Sequence, residues 1–238
     1  MSERREAEGE DSMAKGDFAV IGLGRFGSAI CRTLRALGHD VLGIDTDMEL
    51  VQHMRPVVTD AVQADATDMD ALRGLDVASY DAVVVAIGTD FESAILATMA
   101  LKELGVARVL AKAGTAVEQQ VLSRVGADLV VFPEDDAGYR VAHNLVYPNI
   151  NDFLDLGEDY LILEVSVKPE WVGRTPADLG MPTGSSRVGP GGEYSGLQIQ
   201  LLRRGKRLIS LPDPEMPFEH GDVLALVGTH RDLVGLLR

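Results

Sequence analysis

DFAVIGLGRFGSAICRTLRALGHDVLGID, residues 17–45, is the stretch that decides the fold. A short apolar run, 18–21, leads into Gly22, Gly24 and Gly27, spaced as G-x-G-x-x-G. Residues 25–37 then carry Ile30, Leu34 and Leu37 at helical spacing, and a second apolar run, 40–44, leads to Asp45. The glycine pattern is weak in isolation; a strand before it and a helix after it give it meaning. Gly22 permits the tight turn, Gly24 lets a phosphate approach the backbone, and Gly27 lets the helix lie close on the strand. The helix N-terminus offers unpaired N–H groups and the positive end of its dipole to a pyrophosphate. Asp45, eighteen residues past Gly27, is placed to accept ribose hydroxyls. Its charge would repel a 2′-phosphate, which disfavours NADP.

The same rhythm continues outward to residue 131. Helices are expected at 48–54, 68–74, 91–104 and 117–125, and strands at 57–63, 82–87, 109–112 and 129–131. Strands alternating with helices argue for a Rossmann-like, doubly wound parallel sheet. Polar residues recur where these strands end: Asp65 and Thr67, Gly88, Thr89 and Asp90, Lys112, and Pro133 with Glu134. Ligands of open α/β sheets bind beyond those carboxyl ends. Asp65 is a candidate for the adenine amino group and Lys112 for phosphate. Glu134 is the candidate metal ligand, because Mg²⁺ takes one or two carboxylates beside phosphate oxygens. Each of these charges alone reads as a solvated loop residue; their joint placement makes the site.

Residues 1–16 mix charges without an aromatic side chain and are expected to be a disordered leader, with Met13 a second candidate start. They lack the apolar core of a signal peptide. The domain expectation is a nucleotide-binding domain over 17–134, a helical connector or dimer contact over 135–158 broken at Pro148, and a small α+β domain over 159–238. In that last part alternating runs begin at 161, 197 and 223, and residues 171–179 read as a helical turn. Trp171 reads as a core or interface anchor.

Charge and cysteine count exclude several classes. The 37 acidic residues against 22 basic ones give a net charge of −15, the wrong sign for a nucleic-acid footprint. One cysteine, Cys31, rules out an internal disulfide framework and reads as a small packing residue inside the first helix. The apolar runs 83–88 and 223–228 are too short to span a bilayer. Histidines 39, 53, 143, 220 and 230 show no acidic partner in a catalytic arrangement, and His143, the best placed, reads as a helix-face packing residue. A nucleotide site without visible chemistry suits a sensor rather than an enzyme. An NAD(H)-binding small oxidoreductase fits the glycine motif equally well. So does a redox-sensing regulator, although neither terminus supplies a helix-turn-helix.

The runs at 18–51, ADATDMDAL (64–72), 81–105, VLAKAG (109–114), VLSRVGADLVVFPEDDAG (121–138) and PFEHGDVLALVGTHRDLVGL (217–236) closely resemble one family. It is that of the regulator-of-K⁺-conductance (RCK, or KTN) nucleotide-binding domain and the small TrkA-C domain that follows it. The order is similar to that of cytoplasmic regulatory subunits of Ktr/Trk-type potassium uptake systems. The resemblance implies a homo-octameric ring of dimers on the inner face of the cell membrane. There it docks on a separate potassium-translocating subunit of the KtrB/TrkH kind. It implies that ATP activates and ADP inactivates that subunit, with NAD(H) also able to occupy the site. It places Gly22, Gly24, Arg25, Phe26 and Gly27 around the phosphates and Asp45, Thr46 and Asp47 at the ribose. Asp65, Ala66 and Thr67 fall on the adenine side, with Ile87, Gly88 and Lys112 along the cleft. Glu134 falls beside Mg²⁺ or another cation, and Arg25 is matched to a guanidinium that senses phosphate number across a subunit interface. Some relatives bind cyclic di-AMP in the small domain. Here SSRVGPGGEYSG (185–196) reads as an insertion, and Arg187 in it is a candidate phosphate contact.

Overall fold

A computed structural model describes residues 15–157, 160–181, 183, 197–229 and 231–232. The expected leader, apart from Lys15 and Gly16, lies outside these residues, as do Arg187 and the 185–196 segment. The chain divides into two units at Asp135/Asp136.

The first unit is the expected parallel sheet. Strands β1 (Asp17–Ile21), β2 (Asp40–Asp45), β3 (Asp60–Gln63), β4 (Ala82–Val85), β5 (Val109–Lys112) and β6 (Leu129–Val131) stand in the order β3-β2-β1-β4-β5-β6. Every pairing is parallel. Alternation along each strand sends side chains to two cores. Ala19, Ile21, Leu42, Ile44, Val83 and Val85 face one side, with Leu72, Leu101 and Leu122 of the helices α3 (Met69–Gly74), α4 (Phe91–Glu103) and α5 (Ala116–Arg124). Val20, Val41 and Val84 face the other, with Cys31 of α1 (Arg25–Ala36) and Val51 and Met54 of α2 (Met48–Met54). Burying each such Val, Leu or Ile side chain contributes about 1.5–3 kcal/mol, and covering both faces explains why β4 is apolar throughout. The strand order reverses between β1 and β4, which opens a crevice at their carboxyl ends.

Some expectations shift. The third strand begins at Asp60 rather than 57, because the chain before it turns off the end of α2 through Val57 and Val58. The fourth ends at Val85 rather than 87, where Ala86 and Ile87 bend over the glycine loop. On α1 the apolar face is Gly27, Cys31 and the half-buried Ile30 and Leu34; Leu37 follows the helix and is 60% exposed. Cys31 is fully buried, and desolvation pushes its thiol up to about 11, so it is inert packing.

The second unit carries the larger correction. Helix α6 (Pro133–Val146) stops before Pro148, but the segment after it is strand β7 (Ile150–Gly157), not a second helical piece. It pairs antiparallel with β8 (Tyr160–Ser166). An irregularity between Ile150 and Asp152 puts Ile150 opposite Val165 and Phe153 opposite Leu163. That bulge brings two apolar residues three apart onto one face, which imitates helical spacing in the sequence. The sheet runs β10-β9-β11-β8-β7, with β9 (Gln198–Arg204), β10 (Arg207–Ser210) and β11 (Val223–Thr229). The basic hairpin partner β10 was not expected. The helical turn expected at 171–179 reduces to a 3₁₀ turn, Pro169–Trp171, followed by turns. Trp171 is the core anchor expected, packed with Leu163, Ile199, Phe218 and Leu224.

Candidate nucleotide-binding site

The glycine loop is shaped by contacts that only glycine satisfies. Gly22 has φ +91°, and a Cβ there would lie 3.0 Å from the Ala86 carbonyl carbon. A Cβ on Gly27 would fall 1.8 Å from the Gly22 oxygen, so that side of α1 sits directly on the loop. A Cβ on Gly24 would meet nothing within 4 Å. Gly24 is therefore open rather than crowded, as a residue facing a ligand should be. Helices α2, α3, α4 and α5 are capped by Asp47, Asp68, Asp90 and Thr115, whose side chains accept first-turn N–H groups. Helix α1 begins at Gly24 with no side-chain cap and no acidic residue in its first turn. Its first amides remain available to an anion. Arg25 is exposed and Phe26 half-buried beside them.

Asp45 holds the loop. Its Oδ2 accepts the N–H of Leu23 at 2.6 Å and its Oδ1 accepts that of Asp47 at 2.9 Å. A carboxylate has about four lone-pair sites, so two remain for ribose hydroxyls. Gln63 Nε2 donates to the Thr46 carbonyl at 2.8 Å and pins the same turn from β3. Gln63 was missed in the sequence, although a polar residue ending an expected strand was the available signal. Leu23 had none, because only its backbone amide takes part.

On the far side of β2, Asp65 Oδ1 accepts both the N–H and the hydroxyl of Thr67, at 2.9 and 2.8 Å. These bonds, the backbone one foremost, hold the Asp65 carboxyl below its usual range. Ala66 between them is buried. Asp65 is thus a turn-forming residue with its second oxygen uncommitted by any bond above.

Lys112 and Glu134, expected as separate phosphate and metal groups, are found paired. Lys112 Nζ donates to Glu134 Oε1 at 2.6 Å. The lysine side chain is 15% exposed and the glutamate 67%. Lys112 lies over Gly88, where a Cβ would come 2.9 Å from Nζ. The Lys112 hydrogen bond holds the Glu134 carboxyl below its usual range, with a smaller pull from Arg25. Among the described residues no three His, Cys, Asp or Glu side chains are grouped to hold a metal ion. A divalent cation would find one carboxylate here and would take its other ligands from phosphate and water, a donor set that fits Mg²⁺ only with nucleotide present.

Two of the histidines lie against aromatic neighbours. His143 stacks 4.1 Å from Tyr139 and 4.9 Å from Phe153, and its Nδ1 lies 3.0 Å from the Tyr139 carbonyl. His39 lies edge-on to Phe18, with its Nδ1 accepting the Gly16 N–H.

Residues 18–133 match the TrkA-N domain family. The chain is 36% identical to Ktr system potassium uptake protein C of Bacillus subtilis, over 92% of this chain and 95% of that protein. This chain belongs to the Ktr potassium uptake protein family. Another member, Ktr system potassium uptake protein A of Vibrio alginolyticus, is 35% identical over 95% of this chain and 99% of its own length. The resemblance read from the residues is borne out. Among solved structures, the NAD(P)-binding domain of an exopolyphosphatase-related protein from Archaeoglobus fulgidus has a TM-score of 0.50 at 27% identity. It covers 55% of this chain and 98% of that one. The GsuK channel bound to NAD has a TM-score of 0.51 at 23% identity, over 93% of this chain and 38% of the channel chain. At that identity the likeness speaks for the fold alone. No described helix of this family member is long and apolar enough to cross a membrane.

Proposed function

We propose that this chain is the nucleotide-responsive regulatory subunit of a potassium uptake system, without catalytic activity of its own. ATP switches its membrane partner on and ADP switches it off. The observation that carries the reading is the uncapped start of α1 at the open Gly24, together with the Lys112–Glu134 pair at the carboxyl ends of β5 and β6 in the same sheet. An adenosine phosphate would lay its ribose on Asp45 and its phosphates on the α1 amides, with Lys112 and Arg25 as the cations. Asp65, Ala66 and Thr67 would border the base. Bound Mg²⁺ would neutralise phosphate charge beside Glu134. NAD(H) fits the same loop and Asp45.

Helix α6 starts at this site with Pro133 and Glu134 and buries none of its side chains. Its Val141, Leu145 and Val146 are 58%, 79% and 66% exposed. That apolar face supports contact with a second copy and so a ring of dimers. The ring would dock on the inner face of the cell membrane through a separate potassium-translocating subunit. Nothing described bears on cyclic di-AMP, since Arg187 lies outside the described residues.

A switch requires ATP and ADP to bind two conformations with different affinity. Calorimetric titration with ATP, ADP, NAD⁺ and NADH, with and without Mg²⁺, tests the reading. Tight ATP and ADP binding is expected, with Mg²⁺ acting on ATP. Glu134→Ala should leave the fold intact and reduce the preference for ATP over ADP. Tight NAD(H) with negligible ATP binding would favour the oxidoreductase or redox-regulator reading instead.

A further inference from the structure

Gln63 closes β3 and stands opposite Asp45 in the parallel register of β2 and β3. The Ala64 N–H donates to the Asp45 carbonyl at 3.1 Å, so the two strand ends are locked side by side. From there the Gln63 side chain reaches the Thr46 carbonyl, to which Nε2 donates at 2.8 Å. The same peptide unit carries the Asp47 N–H, which Asp45 Oδ1 accepts at 2.9 Å. The C=O and N–H of a planar trans peptide point in opposite directions. One peptide plane is therefore held at both ends, by Gln63 on its oxygen and by Asp45 on its nitrogen. Gln63 and Thr46 are both exposed. Water can replace the amide on that carbonyl, so the bond adds little to the stability of the fold. Water does not fix the rotation of the plane. With the carbonyl released, the Asp47 N–H can turn away from Oδ1, and the Asp45 carboxylate is then held from one side, by the Leu23 N–H.

Resting on the nucleotide reading above, we propose that Gln63 is a positioning residue for the ribose contact: its amide fixes the Thr46–Asp47 peptide and thereby aims the Asp45 carboxylate at the ribose hydroxyls of a bound nucleotide. Gln63 itself touches no part of the ligand. Its effect is preorganisation, since a group already held in its binding orientation loses less freedom when the ligand arrives. The effect is confined to ligands that carry ribose hydroxyls, because those are what Asp45 would accept.

The test is calorimetry on the full chain with ADP and with 2′,3′-dideoxy-ADP, which lacks both ribose hydroxyls. The proteins are wild type, Gln63→Met, Gln63→Leu, Asp45→Ala and Gln63→Met combined with Asp45→Ala, each checked by circular dichroism. Methionine keeps the length of the side chain without the donor, and leucine removes the donor with a different shape. Wild type should bind ADP about tenfold more tightly than the dideoxy analogue. Both Gln63 variants should weaken ADP about fivefold, the scale of one hydrogen bond, and leave the analogue within about twofold. In the Asp45→Ala background Gln63→Met should change ADP binding by less than about twofold, because the contact that Gln63 serves is gone. Equal losses for ADP and the analogue overturn the proposal, since a general structural role would produce them. An unchanged ratio of the two affinities overturns it as well, and so does an effect undiminished by Asp45→Ala. Equal binding of both ligands by wild type removes the ribose contact, and the proposal with it, while leaving nucleotide binding in place. Wild type that binds neither ligand removes the nucleotide reading itself.

Discussion

The Asp45 carboxylate accepts the Leu23 N–H at 2.6 Å, tying the end of β2 to the glycine loop that follows β1. One side chain therefore shapes the glycine loop and keeps lone pairs for the ribose contact proposed above. Asp45→Ala should weaken ATP, ADP and NAD⁺ alike, by about tenfold, since a charge-assisted hydrogen bond contributes about 1.5–3 kcal/mol. Calorimetry showing undiminished binding of all three would contradict this role.

Gly24 and Gly27 separate the proposed ligand contact from packing. Gly27→Ala places a methyl 1.8 Å from the Gly22 oxygen and should cost about 1–3 kcal/mol, seen as a lower melting temperature. Gly24→Ala meets open space, should leave the melting temperature nearly unchanged, and should still weaken nucleotide binding by obstructing the phosphate. Equal melting losses for the two variants would refute the distinction.

Asp128 accepts the Val109 N–H at 2.7 Å and pairs with Lys102 at 3.0 Å, and the backbone bond foremost holds its carboxyl below the usual range. A carboxyl lowered on folding stabilises above its unfolded value, near 4, and that contribution is lost as pH falls through the folded value. Thermal melts should therefore show Asp128→Asn less stable than wild type at pH 7, with the gap closing toward pH 3. A gap that widens in acid would be the wrong sign.

Asp222 is fully buried and takes Arg204 through both oxygens, at 2.9 and 2.7 Å, together with the Glu219 N–H. Asp222→Ala removes the one fully buried carboxylate among the acceptors of Arg204 and leaves the guanidinium only Glu219 Oε1 and the Pro217 carbonyl. It should destabilise the second unit by about 3 kcal/mol, measured by denaturant unfolding. A loss below about 0.5 kcal/mol would mean that Glu219 and the Pro217 carbonyl suffice for Arg204.

The parallel sheet was legible because its signals are local and repeated. Each strand is a short apolar run, α2 to α5 each start at an Asp or Thr cap, and 22–27 carries its glycines at fixed spacing. The second unit was less legible. Strand β7 carries Leu154 and Leu156 outward and hides a bulge after Ile150, so its pattern mixes two periods. Strand β10 follows the basic turn 203–207 and exposes Leu208, and nothing in its composition marks it as a strand. Among the described residues both are edges of their sheet, with a strand partner on one side only, where patterning is weakest.

The order of charged residues along the chain placed Asp45, Asp65, Lys112 and Glu134 at strand ends, because alternation of strand and helix follows from local periodicity. Which of them touch is a matter of strand order, which no local pattern encodes. Lys112 meets Glu134 because β5 lies beside β6, and Asp45 reaches Leu23 because β2 lies beside β1. Residues twenty-two apart in the chain become hydrogen-bonded partners only once the parallel sheet is assembled.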